Sequence, residues 1–157
     1  MYITFNILHA FTPQSNDVEN ALALRALLDC MIEMNKGYLR LHPETPGLYQ
    51  SGVKYARTTL WEPIPALYAR RMGDCKSLAC ARVAELQMKR VPCEAVFRFY
   101  THPNGVKDFH ILVQTPKGWE DPSKKCGMGT NEFSKVFVDN FGNESIIKRL
   151  GNWLRRK

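Results

Sequence analysis

Residues 71–86, "RMGDCKSLACARVAEL", decide how this chain is read. Gly73-Asp74 breaks the pattern, and Cys75 follows at once, at the first turn of a helix expected to run from about Cys75 to Lys89. Its inward stripe is Cys75, Leu78, Ala79, Val83 and Leu86. A cysteine that only packs a core is better placed mid-helix. At a helix start the backbone N–H groups point outward without intrahelical partners. There they favour a thiolate over a thiol. The plain alternative is that Cys75 is a small buried hydrophobe, as most free cysteines are. The rest of the chain has to supply partners if the thiol is reactive.

Downstream, Val91-Pro92 closes the helix and two strands are expected, 93–100 and 108–115. Thr101-His102-Pro103-Asn104-Gly105 joins them as a hairpin turn. Pro116-Lys117-Gly118 is a second turn, 119–121 a short third strand, and Asp-Pro-Ser opens a loop. His110 and Asp121 lie 35 and then 11 residues along from Cys75. A thiol nucleophile needs a base within hydrogen-bond reach, and the base needs an orienting group. With a turn centred on Lys117, position 110 faces about position 124. Bringing His110 beside Asp121 then requires a bulge or shift. His110 shares a strand face with Leu112, and Phe109, Ile111 and Val113 share the other. Both faces are apolar, so the sheet is expected to be covered on both sides, with a helix on the His110 face bringing Cys75 to it. Taken singly, His110 reads as a core histidine and Asp121 as a turn former before proline.

Upstream, 2–8 reads as a strand and the segment after Asn16-Asp17 as a helix. That helix carries Val18, Leu22, Leu24, Leu27, Leu28, Met31 and Ile32, and is expected to end at Gly37. Residues 41–58, with Pro43, Pro46, Gly47 and Gly52, read as a long loop. A short helix is expected over 62–71, a turn at 72–74, and a last helix near 143–156. Its Ile146, Leu150 and Trp153 stripe reads as core. The 157 residues suffice for one α+β domain, 1–157, with its own core.

Five cysteines, an odd number without a Cys-x-x-Cys pair, point to reduced thiols in a cytoplasmic setting and away from structural zinc. Cys80 and Cys93 read as core, and Cys126, in a Gly-rich loop, as the rival reactive thiol. His9, His42 and His102 read as surface residues. No signal peptide and no membrane-length apolar run is expected. The formal charge of +7 suits an acidic protein surface. Nucleic acid is not expected as a partner, because no binding motif accompanies the charge.

The segments "GDCKSLACARVAELQMKRVPCEAVFRF", "DFHILVQTPKGW" and "EDPS" resemble the transglutaminase-like branch of the papain-like cysteine enzymes, over roughly residues 60–125. The resemblance implies a papain-like or transglutaminase-like core, with the catalytic helix packed on a small antiparallel sheet. It implies Cys75 as nucleophile, His110 as base and Asp121 as the group that orients the imidazole. The Cys75 backbone N–H would be one oxyanion donor and a tryptophan indole another. Trp61, Asp74 and Trp119 are the further cleft candidates. Arg70, Arg71, Lys76 and the helix terminus would lower the thiol pKa. The substrate would be a protein, a peptide or a carboxamide. Hydrolysis is expected over crosslinking, which needs a second site that admits an amine and excludes water. No metal or cofactor is implied. Lys76-Ser77 depart from the acidic residues that related small bacterial members often carry after the Cys. "WEDPSKKCGM" also resembles transglutaminase-like proteins encoded among the structural genes of tailed phages. That resemblance implies the alternative of a virion-associated structural or interaction component meeting other phage proteins, with or without activity.

Overall fold

The computed structural model describes residues 17–101 and 107–129. The strand expected at 2–8, His9, His102 and the helix expected at 143–156 lie outside them.

Helix α1 (Asp17–Leu41) is followed by a single 3₁₀ turn (Leu48–Gln50), strand β1 (Lys54–Tyr55) and helix α2 (Ile64–Arg70). Strand β2 (Met72–Gly73) leads into helix α3 (Cys75–Met88). Strands β3 (Glu94–Thr101), β4 (Lys107–Thr115) and β5 (Gly118–Glu120) come next, then helix α4 (Pro122–Lys125). The described residues are thus mixed α+β, with four helices and two small sheets. The larger sheet is an antiparallel meander, β3-β4-β5. The smaller is a parallel pair, β1 with β2.

Helix α3 is the axis of the packing. Leu24, Leu28, Met31 and Ile32 of α1 meet Ala79, Cys80, Val83 and Ala84 on one side of it, together with Ala95, Ile111 and Val113 of the sheet. On its other side Leu78 and Ala81 meet Leu48, Val53, Ile64, Leu67 and Cys126. Both sides bury apolar surface, about 1.5–3 kcal/mol for each fully buried large side chain. A helix with core on two sides is not amphipathic. The single inward stripe expected from the sequence is therefore replaced by near-continuous burial from Ser77 to Leu86, with Arg82 half-buried.

Several expected boundaries move. Helix α1 runs through Gly37, because Tyr38 and Leu39 beyond it pack onto the two core clusters and offset the glycine's low propensity. Its expected Val18 and Leu22 stand exposed, while Ala21, Leu24 and Leu28 turn inward. The 41–58 segment is not one loop. The amides of Lys54 and Ala56 donate to the carbonyls of Arg71 and Gly73, and that of Tyr55 to Cys126. The expected turn at 72–74 is thereby a strand. Gly73 is required there: a Cβ would lie 2.3 Å from Leu67 Cδ1, whose side chain is fully buried. The expected loop after Asp121 is α4, and it buries Cys126, so the expected rival reactive thiol is a core residue. Cys80 and Cys93 are buried and His42 is exposed, as expected. No described helix is long and apolar enough to cross a membrane.

Candidate active site at the start of the third helix

Asp74 precedes the first turn of α3, and Cys75 opens it. The N-terminal end of α3 is roofed by residues 58–62. Lys76 Nζ donates to the Thr58 carbonyl at 2.7 Å and pairs with the Asp74 carboxylate. The Glu62 amide donates to the buried Ser77 hydroxyl at 3.1 Å. Trp61 lies between these anchors, half-buried beside the same core cluster as Cys75, its ring 5.9 Å from Lys76 Nζ. Arg70 donates to the Glu62 carboxylate at 2.8 Å.

The β4–β5 register decides where Asp121 lies. Thr115 faces Gly118, Gln114 faces Trp119, and Val113 faces Glu120. The connection is a two-residue turn, Pro116-Lys117, with Gly118 at φ 115°. Continued one step, this register sets Asp121 opposite Leu112, on the His110 face. The turn centred on Lys117 that the sequence suggested would have set Asp121 opposite Val113, on the wrong face. A one-residue slip exchanges the faces of a strand. No bulge is needed, because Asp121 meets His110 diagonally: His110 Nε2 is 2.9 Å from Asp121 Oδ2. The other carboxylate oxygen accepts the Lys124 amide at 3.1 Å and caps α4, with Pro122 at the first helical position. Asp121 is thereby held from two directions.

Burial pushes the Asp121 carboxyl up, but the hydrogen bond and charge of His110 and the Lys124 amide outweigh it and hold it below the usual range. An ionised carboxylate only accepts. Nε2 therefore carries the imidazole proton, and Nδ1 is the basic nitrogen of the neutral ring. His110 is 3% exposed.

Helix α3 does not pack on the His110 face. It lies on the opposite one, against Ala95, Ile111 and Val113. The sulfur reaches β4 through the backbone instead: the Ile111 N–H, one peptide bond from His110, donates toward the Cys75 sulfur. The expectation of a lowered thiol pKa fails. Burial pushes the Cys75 thiol up and the adjacent Asp74 carboxylate adds to it. The Ile111 N–H and the Lys76 ammonium and amide pull the other way, and the result is about 11. Of the three basic residues expected to act on the thiol, Lys76 does so. Asp74 is 6% exposed; burial raises its pKa, against the pull of Lys76 and nearby amides.

Trp119 is 48% exposed, on the same face as Asp121, with the Arg98 guanidinium 4.4 Å from its ring centroid. Arg98 faces His110 across the β3–β4 pair. Among the described residues no group of three His, Cys, Asp or Glu side chains is placed to hold a metal.

A second polar cluster escaped the sequence reading. Glu85 is 6% exposed; it accepts the Leu48 amide, and the Tyr68 hydroxyl at 3.3 Å. Arg82 bonds Glu85 at 3.0 Å and Glu120 at 2.6 Å. The Tyr49 hydroxyl also donates to Glu120. Charged residues on an α-helix read as a solvated face, and only the second core around α3 turns this one inward.

No protein-family model, curated protein or solved structure matches the chain.

Proposed function

We propose that this protein is a thiol-dependent acyl-transfer enzyme of the transglutaminase-like, papain-like kind, cleaving peptide or carboxamide bonds. One observation carries the reading. Cys75 opens a helix with its sulfur at the Ile111 amide, one peptide bond along β4 from His110, whose Nε2 is bonded to Asp121.

In this reading His110 Nδ1 takes the Cys75 proton as the sulfur attacks the carbonyl carbon and an S–C bond forms. The Cys75 backbone N–H and the Trp61 indole receive the oxyanion. The C–N bond breaks, and His110 gives its proton to the departing amine. Water, deprotonated by His110, then splits the thioester, and the thiol is restored. Asp121 stays ionised and orients the ring. A thiol held at about 11 is neutral at rest, so the proton moves during attack and no resting thiolate–imidazolium pair is required.

The test is the rate of Cys75 alkylation by iodoacetamide against pH, followed by mass spectrometry, in wild type, His110→Ala and Asp121→Ala. Wild type should show a component near neutral pH that both variants lose, about 10²-fold or more for a positioned base. The thiolate component at high pH should survive in all three. Identical profiles would sink the reading. Cys75→Ala should remove acylation by an activated ester at this site.

The burial that keeps the thiol neutral also favours a second reading, a structural or binding component, such as part of a phage particle, with a silent site. In that case Cys75→Ala leaves assembly or binding intact.

A further inference from the structure

We propose that Arg82 and Glu120 are positioning residues, whose ion pair fixes where Asp121 meets His110; this rests on the acyl-transfer reading of that site. Asp121 leaves the sheet immediately after β5, and β5 pairs with β4 over three residues only. The last pairing is Val113 with Glu120. So short an edge strand is a weak clamp, and a displacement of about an ångström breaks a hydrogen bond.

Glu120 supplies what the ladder lacks. Its side chain points to the α3 face, opposite to that of Asp121. There Arg82 Nε meets Oε1 at 2.6 Å and Arg82 Nη2 meets Oε2 at 3.4 Å. Tyr49 donates to Oε1, and Lys125 Nζ lies 3.6 Å from Oε2. The guanidinium's remaining arm, Nη1, bonds Glu85 on the same helix at 3.0 Å. Arg82 is thereby locked to α3 and grips the residue before Asp121. Seven residues earlier the same helix carries Cys75, two turns away. The thiol and the orienting acid are referenced to one rigid element.

A planar fork that meets both oxygens of one carboxylate fixes orientation as well as distance. Lysine in its place offers a point charge. That difference separates positioning from plain stabilisation.

The test compares Glu120→Ala with Glu85→Gln, which loosens Arg82's other arm without touching β5. Three quantities are read: the thermal midpoint, the His110 ring ¹⁵N shifts, and the His110-dependent part of Cys75 alkylation. Both variants should lower the midpoint. In Glu120→Ala, well below its midpoint, the ring shifts should move toward those of Asp121→Ala. The alkylation component should fall about tenfold, part of what a positioned base supplies. In Glu85→Gln, where β5 keeps its own contact to Arg82, the ring shifts should move less than in Glu120→Ala. Wild-type shifts in Glu120→Ala, or equal shifts in both variants, would overturn the proposal. Should Glu120→Ala not fold, Arg82→Lys carries the test: an intermediate shift supports positioning, and wild-type shifts overturn it. The ring shifts report the Asp121–His110 bond whether or not the thiol reacts. Absence of His110-dependent alkylation in wild type would therefore remove the acyl-transfer reading and leave this test standing.

Discussion

The two halves of α3 treat buried charge in opposite ways. Around Arg82 every charge meets its opposite: Glu85 and Glu120 share the guanidinium, and Tyr49 adds its hydroxyl. Glu120 consequently sits below the usual carboxylate range, since Arg82 and Tyr49 overcome the effect of burial. Around Cys75 burial wins. The thiol and Asp74 are both pushed up, although Lys76 stands beside them. One half is neutralised by pairing and serves as a fixed frame. In the other, burial disfavours the charged forms of both the thiol and Asp74.

Removing the shared cation should have the strongest effect. Arg82→Met leaves Glu85 and Glu120 buried without it. Breaking such a pair costs about 3–5 kcal/mol. The urea midpoint should fall accordingly at an unchanged m-value. A loss below about 1 kcal/mol, the worth of an exposed pair, would mean that the cluster is no frame.

A smaller change tests the other half. Ser77→Ala leaves the Glu62 amide without its 3.1 Å acceptor in a buried setting. An orphaned buried donor costs about 1–3 kcal/mol. Loosening 58–62 should also quicken hydrogen exchange at the Glu62 amide, which NMR reads directly. Unchanged protection there would show that the Ser77 hydroxyl does not hold the roof.

The smallest effect is the response to acid, and here the halves differ in sign. Glu120 and Asp121 have folded pKa values below their ordinary ones of about 4.3 and 3.9. Their stabilisation is present above those values and is lost as pH falls through the folded values. Asp74 has a raised folded pKa. It costs stability while ionised, and the cost is relieved as pH falls through that raised value. Urea midpoints measured from pH 7 down to 3 should therefore bend less steeply in Glu120→Gln. In Asp74→Asn they should lose the gain that wild type shows as pH falls through the raised Asp74 value. Parallel curves for wild type and both variants would erase the distinction.

The sequence carried the order of elements around Cys75, and the three strands were placed within a residue or two. Turn chemistry and β-branched runs are local, so they show in one dimension. What failed depends on strand register or on contacts between distant segments. The face of Asp121 hung on one residue of register at Pro116-Lys117. Strands β1 and β2 are two residues long, too short for any periodicity, and exist because 54–56 pairs with 71–73 and 126. Helix α4 did have a local signal, an N-capping Asp followed by Pro, which also reads as a loop opening. The thiol pKa missed in sign because a helix start announces its dipole in the sequence but not its desolvation.

One feature of the chain path bears on how the molecule assembles. Cys75, His110 and Asp121 fall within a single stretch in which a helix leads directly into two successive hairpins. These pairings join sequence neighbours and close short loops, which is the fast kind of folding event. The hydrogen bond from Tyr55 to Cys126 and that from Tyr49 to Glu120 each close a loop of about seventy residues. Such closures carry the larger entropic cost. The chain thus divides into a stretch of short-range pairings, 75–121, and a strap, 48–56, tied to it over long range.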